Sequence, residues 1–157
     1  MKKLVGILAV SVLFVLMACN NNCYVPTRAL LGVAFVDSSK LAPITMQQVT
    51  IKGEGNDSIL YNASSEQTVF LPLHQNQSVT RFEFSFLRHA EDESVTNYIL
   101  EVKHTPFPQL ISPECGCVMF HSIESAQLYN ATDTLDVEVY STNVINVESD
   151  VHLKVYL

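Results

Sequence analysis

The chain has 157 residues, 48% of them hydrophobic, with nine basic side chains against 16 acidic ones and a net charge of −7. That length suits about one domain, and the apolar content with only five glycines excludes a disordered or low-complexity chain. The acidic balance argues against nucleic-acid binding and against adsorption to anionic lipid.

The first element is an N-terminal leader. Lys2 and Lys3 precede Leu4 to Met17, an apolar run without charge. The run is shorter than the roughly 20 residues a spanning helix needs, and it matches the apolar region of a secretory signal. Leu16, Met17, Ala18 and Cys19 resemble a bacterial lipobox, with a large apolar residue at −3, a small one at −1 and cysteine at +1. The resemblance implies removal of residues 1–18 and lipidation of Cys19. Ordinary secretory cleavage near Ala18 is the alternative. Acyl chains would then be the membrane anchor, since each buried methylene contributes about 0.8 kcal/mol and several chains hold firmly. Residues 19–26, with Asn20, Asn21 and Asn22, read as a polar spacer. No acidic cluster follows Cys19, unlike the surface-export signals of Bacteroidetes lipoproteins, so the expected address is the outer membrane, facing the periplasm. Loss of Lys2 and Lys3 deepens the negative balance of the mature chain.

Beyond the leader the pattern is alternation. RFEFSF sets Phe82, Phe84 and Phe86 on one face, and LDVEVY sets Leu135, Val137 and Val139 against Asp136, Glu138 and Tyr140. The final VHLKVYL sets Val151, Leu153, Val155 and Leu157 opposite His152, Lys154 and Tyr156. Period-two alternation predicts half-buried strands, near 27–37, 48–53, 57–62, 67–73, 79–88, 94–104, 116–129, 134–141 and 150–157. The stretch 29–36 is apolar on both faces and should be central. Turn signals lie at 53–57, at 89–94 and in the proline-bearing 105–113. Short strands at regular spacing predict a single all-β domain over 27–157, an antiparallel β-sandwich of about 7–9 strands, immunoglobulin-like or related.

The stretch SPECGCVMFHSI at 112–123 gathers two cysteines, a methionine and a histidine. On a regular strand Cys115, Cys117, Met119 and His121 share one face, with Val118 and Phe120 opposite. Such soft ligands suggest copper or zinc, but each two-residue step advances roughly 6.6–6.8 Å, which puts Cys115 and His121 about 20 Å apart. One ion cannot gather the row. Cys115 and Cys117 are also too far apart for a disulfide unless Gly116 kinks or bulges the strand. An oxidising envelope favours a disulfide, and without such a bulge Cys23 is the remaining partner. The expectation is Cys23–Cys115, with Cys117 as a third thiol acting as buried apolar filler. A metal site using Cys115, Cys117, His104 or His121, and a Cys115–Cys117 redox pair, are the alternatives. His104 and His121 flank the proline-rich connection and could approach each other.

Other signals are local. Glu91, Asp92 and Glu93 lack the alternating oxygen ligands of a calcium loop and read as a solvated hairpin tip. Ser58 and Thr134 each follow an aspartate and precede an apolar residue, which resembles the O-glycosylation motif of Bacteroidetes exported proteins. There is no G-x-S-x-G, H-E-x-x-H or P-loop, so no enzyme and no cofactor are expected.

The lipobox, the early Cys23 and the tract 104-HTPFPQLISPECG-116, with Ser112, Pro113, Glu114, Cys115 and Gly116 at its core, resemble small Bacteroidetes lipoproteins of unassigned function. Cys117 lies outside the shared pattern, which makes Cys115 the better disulfide candidate. The resemblance implies an address and a compact β fold, and it implies no activity. The expected role is a lipid-anchored, non-enzymatic module that binds or assembles with an envelope protein partner. Metal handling or thiol redox at Cys115 and Cys117 is one alternative, and glycan binding on a tyrosine-lined surface is another.

Overall fold

The structure is a computed structural model, and it describes residues 28–87, 95–113, 116–145 and 150–157. In chain order the strands are β1 (Leu30–Asp37), β2 (Ala42–Pro43), β3 (Met46–Gly53), β4 (Ile59–Glu66), β5 (Thr68–Pro72) and β6 (Val79–Leu87). They continue with β7 (Thr96–Ser112), β8 (Gly116–Tyr129), β9 (Thr134–Val139), β10 (Asn143–Val144) and β11 (Leu153–Tyr156).

The all-β expectation holds, with one change of architecture. The strands join in a single curled open sheet of order β2-β1-β11-β9-β8-β7-β6-β3-β4, with β10 paired to β8 and β5 to β1. A two-sheet sandwich is not confirmed. Consecutive strands explain the curl: β4 pairs with β3 at one end of the order, and β5 pairs with β1 near the other. Only Gln67 separates them, and its carbonyl accepts the Phe35 N–H. One pair also departs from the antiparallel expectation, because β1 and β11 run parallel from Val33↔Leu153 to Val36↔Tyr156.

The alternating rows supply the core. Phe82, Phe84 and Phe86 of β6 are buried beside Tyr98, Leu100 and Val102 of β7. The Phe86 ring stacks on Tyr98 at 5.3 Å and meets Phe35 of β1 at 6.1 Å. Each such side chain contributes on the order of 1.5–3 kcal/mol by leaving water. The β1 run behaves as its composition demands. Leu31, Val33, Ala34, Phe35 and Val36 are buried, and hydrogen-bonded neighbours flank the strand on both edges.

The turn at 53–57 forms as expected: Gly55 takes a left-handed φ of 71°, and the Asn56 N–H donates to the Gly53 carbonyl. The proline tract does not form a turn. β7 runs through it to Ser112, paired with β8 from Ile99↔Tyr129 to Ser112↔Gly116. Pro106 and Pro108 fit there because β6 pairs with β7 only as far as Lys103, so their missing N–H groups sit on an edge.

Candidate functional site

The strand pattern delivers two histidines to one place. On β6, Thr80 continues the inward row of Phe82, Phe84 and Phe86 and is 3% exposed. On β7, His104 continues the row of Tyr98, Leu100 and Val102. His121 arrives through a bulge. Lys103 pairs with Ser125 but His104 with Ile123, so β8 carries an extra residue at Glu124. Inward positions on β8 therefore switch from Leu128 and Ala126 to Ile123 and His121, because a one-residue slip reverses which face a side chain takes.

His104 and His121 are both sealed, at 0% and 2% exposure. Their Nδ1 atoms lie 3.1 Å apart, and the rings meet edge to face. The Nε2 of His104 lies 2.8 Å from the Thr80 hydroxyl, which accepts a hydrogen bond from the His74 backbone N–H. This chain assigns the protons. If the Thr80 hydroxyl donates to His104 Nε2, His104 carries its proton on Nδ1 and donates to His121 Nδ1. His121 then holds its proton on Nε2. The opposite assignment makes Thr80 accept twice and leaves its hydroxyl hydrogen with no acceptor among the described residues. Burial holds both imidazoles neutral. His104 lies below its ordinary value because of burial and then the neighbouring His74, while Glu124 pulls weakly the other way. His121 is pushed down to about 4, chiefly by burial and then by His104.

His121 also lines a cavity of about 260 Å³. Arg28 and Leu30 border it from the start of β1, Leu73 and Gln75 from the segment after β5, and Met119 from β8. These strands are not hydrogen-bonded to β8, so the curl of the sheet creates the space.

A third buried histidine serves the sheet itself. His152 Nδ1 accepts a hydrogen bond from the Gly32 N–H at 2.9 Å, and the His152 N–H donates to the Gly32 carbonyl at 2.8 Å. Its Nε2 is buried without a hydrogen bond of ordinary geometry among the described residues, and burial holds its pKa low against the smaller upward pull of Asp150 and then of the Asn143 backbone. The alternation of VHLKVYL put His152 opposite the apolar row, and the structure buries it instead. It lies just before β11, where this exchange with Gly32 turns the ring inward.

Of the other predicted site residues, Cys19, Cys23 and Cys115 lie outside the described residues, as does the 91–93 acidic run. Cys117 is a free, exposed thiol on β8, which corrects its reading as buried filler. Cys117 pairs across from Leu110, where the ribbon has outrun its pairing with β6. Gly116, the residue whose kink a Cys115–Cys117 pairing would need, takes a left-handed φ of 72° beside a register shift between Leu110 and Ser112, while Cys115 itself lies outside the described residues. The proposed ligand set divides: His104 meets His121, while Cys117 sits four residues along β8, about 13 Å away at the strand rise. Among the described residues no group of three or more His, Cys, Asp or Glu side chains could hold a metal ion. Ser58 and Thr134 are exposed. Of the tyrosines, the buried Tyr98 and the half-buried Tyr129 line one surface cavity, while Tyr61 accepts the Phe70 N–H and Tyr140 lies under Lys154.

Sequence reasoning missed Thr80 and Arg28. The inward parity of Thr80 with the three phenylalanines was readable, whereas nothing local marked Arg28.

A family model described as a family of unknown function (DUF6452) matches residues 48–157, which include Thr80, His104, His121 and His152. Comparison with curated proteins and with solved structures finds no match.

Proposed function

We propose that the chain, which belongs to DUF6452, a family of unknown function, is a lipid-anchored, non-enzymatic module of the cell envelope that binds a membrane protein partner. The observation that carries the binding role is the β7–β8 ribbon. Past Lys103, β7 pairs with β8 alone among the described residues, so Thr105 to Ser112 form an arm about 26 Å long at the strand rise. Pro106 and Pro108 protect its open edge against pairing with another strand. Recognition there would run through side chains: Leu110 is 62% exposed, with Phe107 and Ile111 half-buried nearby. The anchoring half of the reading is supported by the leader and by the Leu16–Cys19 motif.

A photo-crosslinking residue placed at Leu110 in the native envelope tests the binding role. The expected result is one discrete adduct that a probe at exposed Ser58 does not form. An identical adduct pattern at both positions would refute it. Fractionation tests the anchor separately: Cys19→Ala should move the protein out of the membrane fraction, and unchanged membrane retention would remove that half of the proposal.

A further inference from the structure

We propose that the cavity between β1, the end of β5 and β8 binds a small monocarboxylate with a short apolar tail, held by the His121 Nε2–H and the Arg28 guanidinium.

The donor assignment follows from the proton chain. Thr80 donates to His104, His104 donates to His121 Nδ1, and His121 must therefore present Nε2–H. That nitrogen has no hydrogen-bond partner among the described residues, on a side chain that is 2% exposed and lines the cavity. Unlike the His152 Nε2, which is fully sealed without a partner among the described residues, it opens into the cavity. A ligand oxygen would satisfy it.

The remaining lining narrows the ligand. Arg28 makes no ion pair with a described residue, and Gln75 adds an amide at the exposed rim. Among the described residues no acidic side chain borders the space, so an anion meets no like charge from them, although the chain as a whole is acidic. Ala29, Leu30, Leu73 and Met119 supply apolar wall. One full positive charge and one neutral donor suit a single carboxylate better than a phosphate dianion, and the apolar wall calls for a hydrocarbon tail. At about 260 Å³ the space falls below the usual range for drug-sized ligands. The tail is therefore a few carbons long. This inference stands apart from the partner and anchor proposals, because it does not depend on Cys19 or Leu110.

The test is an NMR titration of the full chain in a non-ionic detergent with butyrate, butanol and butylamine, with ¹⁵N-labelled histidine. The expected result is His121 in the Nε2–H form, a saturable shift of the His121 ring nitrogens with butyrate, and a Kd on the order of 1 mM. Butanol and butylamine should bind about tenfold more weakly or not at all, since neither presents an anion to Arg28. Arg28→Gln, at an exposed position that leaves the fold intact, should weaken butyrate about tenfold. His121 found in the Nδ1–H form, an equal response to butanol and butyrate, or no saturable shift would each overturn the proposal.

Discussion

Gly32 and His152 exchange two hydrogen bonds across the parallel β1–β11 junction, one from the Gly32 N–H to the His152 ring and one from the His152 N–H to the Gly32 carbonyl. The ring substitutes for a backbone carbonyl at the point where the parallel ladder begins. The junction is also tight, because a Cβ on Gly32 would lie 2.1 Å from the Asp150 carbonyl oxygen. Gly32→Ala must therefore move backbone, not merely a flexible side chain. It should destabilise the protein by about 1–3 kcal/mol or more, the cost of overpacking a closed site, measured by urea denaturation. A change below about 0.5 kcal/mol would mean the junction yields freely.

Thr80→Val removes the hydroxyl while keeping the shape. It strands the His74 N–H and His104 Nε2, and leaving buried polar groups unpaired costs about 1–3 kcal/mol. Thr80→Ser keeps the hydroxyl and should recover most of that loss. Equal stability of the two variants would show that the hydroxyl plays no part.

Acid should weaken the fold through its three buried histidines. His104, His121 and His152 all lie below the ordinary value of 6.5, in each case chiefly through burial. Above about pH 6.5 the rings are neutral in both folded and unfolded chains, and stability is independent of them. Below it the unfolded chain takes up protons that the folded one refuses. Stability then falls by up to about 1.4 kcal/mol per pH unit for each ring, until the folded pKa is reached. For His121 that limit is about 4. The groups that modulate the window are His74 and Glu124 around His104, and Asp150 around His152. Denaturation at pH 7.5 and pH 5 measures the loss, and stability that rises toward pH 5 would contradict it.

Cys117 should react with a maleimide in the folded protein, since its thiol is free and exposed. Mass spectrometry of the digest would place the label on the peptide containing 117. Cys117→Ser should change stability by less than about 0.5 kcal/mol. A thiol at 117 that labels only after unfolding would refute the assignment.

The amino-acid sequence alone determined the strands. The phenylalanine row of β6, the apolar run of β1 and the alternation of β9 are local consequences of a two-residue period, so each strand and its buried face could be read without a partner. The meeting of His104 and His121 was also within reach, because both flank one proline-bearing stretch. That stretch itself misled. Prolines mark turns in isolation, and only the absence of a β6 neighbour beyond Lys103 makes Pro106 and Pro108 acceptable inside β7. The curl, the parallel β1–β11 pair and the cavity at His121 depend on which strands lie side by side, and contacts between distant segments leave no period to detect. The bulge at Glu124 belongs to the same class: a single extra residue, visible only against β7, decides that His121 faces inward and meets His104. Local chemistry set the strands and their faces, and the long-range pairing of those strands decided where their polar groups meet.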